Sequence, residues 1–549
     1  HDITVSCTHP ADFHVTLGWL PRCRDGQEIV CRAREAVPPA SVVTIRFGAA
    51  GQWTLAPIAA AYPLRVYESV EGDGLYRIIP EAHALVCRAG SPEQVQATLR
   101  PAEGPEEYVL GIGLRDRYGN PAPAGHQALV TLPTGQKAEL RLSGAEPTTA
   151  TRLRLAGDAP TTCRVVVSGL GLDTATNPAP RLAGADGQVY FGEIHSHTAL
   201  SDGARSVDDL YQFARDGQQL DFAAVSDHDS HLYGFGMFPG DWAIVREAAE
   251  RYYAPRRFVT LLGYEWTPVE PARATGHHNV YYRDTDGPLF SSSDSRASTV
   301  PDLLAALREL GRPALVIPHH PVACKNAAGR PEATLTVAWD TYDPTLMRLV
   351  EIYSKWGCSE RVPPEYRPLK FSAPGHAVQD ALARGYRLGF TGGSDSHVAM
   401  PGGRFDEGTR GNLRYEGSGL VGVWAPALTR EDIFDALYAR RCYATSGARI
   451  LVDFRVAGRP MGAELAWADP NAPRAIAGQV VGTAEIARVE IVRDGSVWQT
   501  LAGDGSSVCR FEREDASPLA GPAYYYLRVI QRDDERAWSS PVWIDPPAA

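Results

Sequence analysis

The sequence lacks three features that would each indicate a class of protein. No Cys-x-x-Cys pair occurs among the nine scattered cysteines, which argues against a thiolate zinc site or a thioredoxin-type redox centre. No apolar run approaches the ~18 residues that a membrane span needs. Basic residues are outnumbered by acidic ones, 54 to 65, so the chain lacks the basic face of a general nucleic-acid binder. We therefore expect neither a membrane nor a nucleic acid as partner.

Histidine is missing from the last part of the chain and concentrated in its middle. Ten of the 15 histidines lie from His195 to His397, and none follows His397. Neutral imidazole is a metal ligand and a general base near neutral pH, so this clustering indicates a functional site.

The rest of the composition is that of a globular protein with several domains. With 549 residues, 44% hydrophobic and 22% charged, the chain is long enough for three to five domains and shows no sign of disorder. It begins at His1 without a basic and apolar leader, which favours a cytoplasmic location. The missing initiator methionine leaves export open.

The hydrophobic pattern changes twice and predicts three regions. Residues 1–185 carry short alternating runs between turns, which predict a β-sandwich region of one or two modules, immunoglobulin-like around residues 95–175. Residues 186–447 alternate strands with helices, and residues 448–549 return to the alternating runs of a C-terminal β domain. The predicted fold class is therefore multidomain α/β plus β.

The central region has seven principal predicted strands with helices between several of them. The strands are predicted at Val189–Ile194, Phe222–Ser226, Phe258–Glu265, Asn279–Arg283, Ala314–Pro318, Leu349–Ser354 and Leu388–Gly392, with one more edge strand at Gly419–Trp424. Helices are predicted around residues 206–214, 242–253, 301–310, 375–385 and 429–440. This order suggests a parallel βα barrel or an open α/β sheet.

Polar clusters lie at the ends of six of these strands. They are His195-Ser-His197 with Asp202, Asp227-His228, Glu265, His277-His278, His319-His320 and Asp395-Ser-His397. Because the carboxyl ends of barrel strands meet on one face, the clusters predict a single site. A His-x-His pair places both rings on one side of a strand, and imidazole with carboxylate suits zinc, iron or manganese.

These motifs, in this order over about residues 186–447, resemble the PHP superfamily, named for its polymerase and histidinol-phosphatase domains. Further phrases resemble one bacterial multidomain branch of this superfamily: Gly276-His-His-Asn-Val280, Glu351-Ile-Tyr-Ser354 and Tyr443-Ala-Thr-Ser-Gly447. The resemblance implies a distorted seven-stranded (β/α) barrel, flanked here by the two β regions. It also implies a metal-dependent hydrolase with a site for two or three divalent ions.

The resemblance also implies which residues bind each ion. His195, His197, Glu265 and Asp395 would hold the first ion. Glu265 would bridge to the second ion, which His320 and one histidine of the pair His277/His278 would complete. Asp202, His228 and His397 would hold the third. His320 is preferred to His319 because the family ligand directly precedes proline, and His319 is then a residue that orients ligands.

The motifs favour a phosphoester hydrolase in which a hydroxide shared by the metals attacks phosphorus. Lys355 and Arg404 are the candidate cations for a small anionic substrate, and His228 or Asp227, or metal-bound water, would protonate the leaving group. Two alternatives stay open. One is a metallohydrolase that cleaves an amide, lactone or glycosidic bond, and the other is a glycan- or protein-binding scaffold. The sequence does not predict the oligomeric state.

Overall fold

The computed structural model describes residues 88–547, apart from residues 103, 105, 123–124, 145, 147, 156–161, 180, 183–186, 231–235, 239, 269–275, 324–334, 368–371 and 404–417. Of residues 1–87 and 404–417 it gives only the backbone of strands. Those in residues 1–87 are β1 (Ile3–Cys7), β2 (Phe13–Trp19), β3 (Gln27–Ala33), β4 (Val43–Phe47), β5 (Ala61–Leu64), β6 (Tyr67–Glu68), β7 (Arg77–Ile78) and β8 (His83–Val86).

The next region is a sandwich of two antiparallel sheets. Its strands are β9 (Gln94–Pro101), β10 (Glu107–Arg115), β11 (Gln127–Thr131), β12 (Lys137–Arg141), β13 (Thr149–Arg154), β14 (Arg164–Val167) and β15 (Leu172–Ala175). The sheets have the orders β13-β10-β9 and β12-β11-β14-β15. Alternate residues such as Leu110, Ile112, Val130 and Val165 are buried in one core. The alternating pattern predicted this part of the fold.

The central region contains the helices and the strands that carry the candidate site. In chain order they are β16 (Gln188–Glu193), α1 (Val207–Gln212) with a π-helical turn at Phe213–Gly217, β17 (Phe222–Ala224), α2 (Asp241–Arg251), β18 (Val259–Trp266), β19 (His278–Tyr282), α3 (Val300–Leu310), β20 (Ala314–Pro318), β21 (Leu349–Ser354), β22 (Gly357–Cys358), α4 (Val378–Ala383), β23 (Gly389–Gly392), β24 (Phe405–Gly408), β25 (Asn412–Tyr415), β26 (Leu420–Ala425), α5 (Arg430–Tyr438) and β27 (Cys442–Thr445). Every strand and helix predicted for this region is present, within a few residues at the ends. The strand predicted at the sheet edge, Gly419–Trp424, is instead internal, because β26 pairs with β16 on one side and β27 on the other.

Helix α3 illustrates how local sequence sets these elements. Thr299 caps its first turn by accepting a hydrogen bond from the backbone three residues on, and Pro301 suits the first turn because its missing N–H has no partner there anyway. Gly311 ends the helix at φ +67°, a conformation that costs glycine little. Leu303 and Leu307, four residues apart, bury one face. None of the helices in the described part of the chain has the length and apolar character needed to cross a bilayer.

Strand pairing within the described part of the chain does not show the closed barrel that the motifs imply. Strands β16, β17 and β18 are parallel, β19 and β20 continue antiparallel, and β21 pairs parallel with β23 in a separate sheet. Between β20 and the start of β21, the Val316 N–H donates to the Leu346 carbonyl at 2.9 Å. Between the ends of β16 and β23, Ser196 and Ser396 form a single parallel bridge. The described part of the chain is thus multidomain and sheet-rich, with few helices.

The C-terminal region adds a second sandwich that shares a sheet with the central region. Its strands are β28 (Leu451–Val456), β29 (Arg459–Pro460), β30 (Glu464–Ala466), β31 (Arg474–Val481), β32 (Ile486–Arg493), β33 (Ser496–Ala502), β34 (Val508–Asp515), β35 (Ala523–Gln531), β36 (Arg536–Ser539) and β37 (Val542–Asp545). One sheet runs β20-β19-β18-β17-β16-β26-β27-β36-β35-β32-β33, and β29-β28-β31-β34 packs against its far half. The hydrogen-bonded ladder therefore continues from β27 into β36, across the boundary predicted at residue 447.

Candidate metal centre

The candidate site lies at one edge of the central sheet. His195 and His197 follow β16, His228 follows β17, and Glu265 is the last residue but one of β18. Because β19 runs antiparallel to β18, the residue that precedes it, His277, reaches the same edge. The strand ends therefore bring the predicted clusters together, as the carboxyl ends of parallel strands do.

The carboxylate of Glu265 is the centre of this arrangement, and each of its oxygens faces a different set of imidazoles. Oε2 lies near Nε2 of three histidines: His195 at 3.2 Å, His197 at 3.3 Å and His319 at 3.4 Å. Oε1 lies near Nδ1 of two: His277 at 2.6 Å and His228 at 3.1 Å. A carboxylate placed in this way has the geometry to bridge two cations, one on each oxygen.

Asp395 and Asp202 complete the centre on either side of His197. Oδ1 of Asp395 lies 3.2 Å from Nε2 of His197 and 3.7 Å from Nε2 of His195. Oδ1 of Asp202 lies 3.2 Å from Nε2 of His397 and 3.5 Å from Nε2 of His228. Imidazole rings of His197 and His397 stack at 4.4 Å, so the two sides are continuous.

The described residues form five groups in which all the candidate ligand atoms of a group lie within 4.8 Å of one another. They are His197/Asp202/His228/His397, His277/His319/His320, His195/His197/Asp395, His195/Glu265/His319 and His228/Glu265/His277. Several of these atoms are buried without a hydrogen-bond partner in the described part of the chain: both ring nitrogens of His197 and of His319, Nδ1 of His320 and Oδ1 of Asp395. A buried polar atom without a partner costs about 1–3 kcal/mol, and coordination of a cation would remove that cost. Buried carboxylates with neutral imidazoles are the donor set of divalent transition metals, so the residues fit such ions.

The carboxylates of the centre are held ionised. Burial alone would raise the pKa of Glu265, but His228 and His319 foremost among the surrounding imidazoles hold it well below its usual range. Burial is also outweighed at Asp395, where Lys355 holds the pKa well below its usual range. Ionised carboxylates in a buried site need positive charge nearby, and divalent cations can supply it.

At two residues of the centre, His320 and Asp395, the backbone departs from the extended conformation of a strand. Side chains of successive residues in an extended strand point to opposite faces. His320 has φ +35° and Asp395 has φ +50°, in the left-handed region that non-glycine residues rarely adopt. Such strained residues cluster at functional sites, where the surrounding structure holds them.

Several residues around the centre orient the candidate ligands. Oε2 of Glu351 lies 2.8 Å from Nδ1 of His195, on the far side of the ring from Glu265. A carboxylate in this position fixes the orientation of a metal-binding histidine. The sequence pattern singled out Glu351 within the phrase Glu351-Ile-Tyr-Ser but assigned it no role. The sequence feature that could have identified Glu351 is its position in the strand β21, whose end reaches the same edge of the molecule.

Asp227 supports the turn between His197 and Asp202. Its Oδ1 accepts a hydrogen bond from the Thr198 backbone N–H at 2.7 Å, and Oδ2 accepts one from the Thr198 hydroxyl at 2.6 Å. The Ser201 hydroxyl also donates to Oδ1. These hydrogen bonds favour a positioning role over the proton transfer expected from the sequence.

A two-residue turn, Lys355-Trp356, joins β21 to β22 beside the centre. Nζ of Lys355 lies 2.6 Å from Nδ1 of His397 and 3.9 Å from Oδ1 of Asp395. The indole N–H of Trp356 donates to Oδ2 of Asp395. The other predicted cation, Arg404, lies outside the described residues.

The two pairs of adjacent histidines differ in how the structure places them. His277 reaches Glu265, whereas the ring of His278 packs 5.9 Å from that of Trp266 and belongs to none of the ligand groups found among the described residues. Both His319 and His320 reach the centre, although proline spacing favoured His320 alone. The sequence offered no sign that His320 would adopt the left-handed conformation that brings both rings to one edge.

Comparison with known proteins gives a family model and several relatives without an established activity. The matching family is described as a protein of unknown function (DUF3604), and its model matches residues 232–328 and 403–488, about a third of the chain. An uncharacterised protein of Chlamydia pneumoniae is 28% identical over 376 residues, 65% of this chain and 57% of its own length. One of Chlamydia trachomatis is 29% identical over 388 residues, 67% of this chain and 59% of its own. The chain thus spans less than two thirds of the length of these relatives.

Among solved structures, the chain is similar to a two-domain protein of Bacteroides vulgatus described as containing a predicted PHP-like metal-dependent phosphoesterase. The identity is 15% and the TM-score 0.32, over 65% of this chain and 95% of the other. A TM-score of this size does not establish a common fold.

Proposed function

We propose that residues 186–447 form a metal-dependent phosphoester hydrolase with a two- or three-metal centre, built on a distorted barrel of the PHP type. The observation that carries the proposal is the convergence of imidazole and carboxylate from successive strand ends on the carboxylate of Glu265. The order of the motifs supports it, as do the backbone contacts that span both gaps between the central sheets.

The two oxygens of Glu265 face different candidate ligands, so each oxygen could serve a separate ion. His195, His197 and Asp395 would hold one ion together with Oε2, and His277 and His320 would hold the other together with Oε1. A third group, formed by Asp202, His228 and His397, would hold a further ion beside His197. Bound there, zinc, manganese or iron would supply a nucleophile from water near neutral pH and polarise the phosphoryl oxygens.

Two residues of the chain have positions suited to steps that the ions do not perform. The ammonium of Lys355 lies at the edge of the centre beside His397, where it could neutralise a phosphate oxygen of the substrate. His228 or metal-bound water is the candidate for protonating the leaving group, because Asp227 is engaged with Thr198 and Ser201. His228 could do so only in a two-metal centre, in which it does not hold the third ion. Arg404 stays a prediction as a second cation.

Metal analysis followed by substrate assays tests the proposal. The purified protein would be reconstituted with zinc, manganese or iron and assayed on phosphomonoesters, phosphodiesters, carboxylic esters, lactones, amides and glycosides. We expect stoichiometric metal and phosphoester turnover that His197→Ala and Asp395→Ala abolish. His376→Ala is the matched control, because this histidine lies outside the ligand groups with Nδ1 2.6 Å from the Val337 carbonyl.

The other outcomes would each contradict the proposal in a different way. Bound metal with turnover of an ester, amide or glycoside, and none of any phosphoester, would replace it with a metallohydrolase of another bond. Absence of stoichiometric metal after reconstitution would replace it with a binding scaffold.

A further inference from the structure

His319 and His320 are adjacent in sequence, yet both rings lie in the centre. Their ring centroids are 4.4 Å apart, and that of His319 is 4.2 Å from that of His195. The left-handed backbone of His320 makes this possible, because extended neighbours would point to opposite faces. Backbone strain of this kind costs on the order of 1–3 kcal/mol, which the surrounding structure must offset.

Among the described residues, the imidazole of His319 has no partner that would explain its burial other than the carboxylate and imidazoles of the centre. The side chain is fully buried, and neither ring nitrogen has a hydrogen-bond partner in the described part of the chain. Nε2 lies 3.4 Å from Oε2 of Glu265, the oxygen that also faces His195 and His197. A residue that merely oriented a ligand would donate a hydrogen bond to it, and His319 forms no such bond with any described residue.

We propose that His319 is itself a metal ligand, through Nε2, to the ion that His195, His197, Asp395 and Oε2 of Glu265 would hold. The spacing from proline favoured His320 alone, so this assignment adds a donor to the set that the motifs supply. The added neutral imidazole gives this ion three histidines and two carboxylates. This role for His319 rests on the proposed function only in requiring that the centre binds metal.

His278 is the matched comparison within the same chain. It is also a buried histidine next to another histidine, and its Nδ1 also lacks a hydrogen-bond partner in the described part of the chain. Its ring faces Trp266 and lies in no ligand group found among the described residues. His278 therefore shares the burial and the unpaired nitrogen of His319 and differs from it in its distance from the carboxylates.

Zinc binding by the variants His319→Gln and His278→Gln provides the first test. Competition with a chromogenic chelator measures the dissociation constant of each bound ion, and circular dichroism checks that both variants fold. Loss of an orienting residue weakens metal binding by about 10–100-fold. We expect His319→Gln to lose one ion, or to bind it more than about 100-fold more weakly, and His278→Gln to match the wild type. Weakening of His319→Gln within the 10–100-fold range, or none, would overturn the assignment.

Cobalt spectra of cysteine variants provide the second test, which also holds if His319→Gln fails to fold. A thiolate that binds Co²⁺ gives a sulfur-to-metal charge-transfer band. We expect this band for His319→Cys, as a difference from the wild type, and not for His278→Cys. Equal spectra for the two variants would overturn the assignment. Metal binding without phosphoester turnover would instead refute the proposed function and leave the role of His319 intact.

Discussion

The buried carboxylate of Glu360 joins the C-terminal region to the segment that carries Lys355. It lies just after β22 and accepts hydrogen bonds from Arg528 Nη2 at 2.6 Å, the Tyr526 hydroxyl at 2.5 Å and the Trp538 indole at 3.0 Å. All three donors belong to β35 and β36. Glu360 is 5% exposed, so these contacts are made away from water.

We predict that Glu360→Gln lowers the free energy of unfolding by about 3 kcal/mol. Removing one partner of a buried ion pair costs about 3–5 kcal/mol, because the other charge stays buried. Arg528 keeps a second carboxylate, Glu490, at 2.5 Å from its Nη1, which places the expected cost at the lower end of that range. Glutamine keeps the shape of the side chain but turns an NH₂ group towards donors.

Urea unfolding of the metal-free protein, followed by tryptophan fluorescence, measures this cost. The matched control is Glu365→Gln, since Glu365 lies 3.8 Å from Nη1 of the same Arg528 but is 52% exposed. An exposed pair contributes about 0–1 kcal/mol, so the control should be close to the wild type. If Glu360→Gln and Glu365→Gln shift the midpoint equally, burial of the Glu360 contacts does not stabilise the junction and the reasoning fails.

Three further predictions concern acid stability, metal affinity and metal removal. Asp515 is buried, but hydrogen bonds from Ser517 and Tyr525 lower its pKa to about 2. The stability that Asp515 adds to the folded protein is therefore present above its unfolded pKa near ~3.9 and is lost as pH falls through about 2. Asp515→Asn should therefore be about 2 kcal/mol less stable than the wild type at pH ~7 in urea unfolding, and a gap of the same size at pH ~2 would contradict this. A Cβ at Gly393 would collide with Oε2 of Glu351 and lie 2.9 Å from Cβ of His195, so Gly393→Ala should weaken zinc binding by about 10–100-fold in chelator competition. An unchanged dissociation constant would show that Glu351 does not orient His195. Removing metal with a chelator should lower stability by about 4 kcal/mol when the metal had been at ~1,000 times its dissociation constant, and an unaltered thermal midpoint would refute binding to the folded state.

Local signals predicted the elements of the central region. Helix α3 shows why: a threonine cap, a proline in the first turn and a glycine stop lie within a single stretch of sequence. Strand β18 is buried over its whole length, and a stretch such as Val259-Thr-Leu-Leu262, with apolar side chains at three of four positions, is typical of a strand covered on both faces. The clustering of histidine at strand ends predicted the location of the site.

Long-range contacts determined what the sequence could not reveal. Whether His277 or His278 faces the site depends on the register of β19 against β18, where His278 pairs with Trp266. The gaps between the central sheets depend on strand pairing across the fold. The contact of Glu360 with Arg528 joins residues 168 positions apart, and no local pattern reports such a pairing.

The shared sheet has a consequence for how this architecture can be inherited. Strand β27 pairs with β26 on one side and β36 on the other. A gene fragment that ended after β27 would encode a sheet with an open edge, whose unpaired N–H and C=O groups invite aggregation. Recombination that moved the central region to a new neighbour would have to supply a strand in the place of β36. The central and C-terminal regions are therefore expected to be inherited together. The N-terminal sandwich contributes no strand to this edge, so the constraint does not apply to it there.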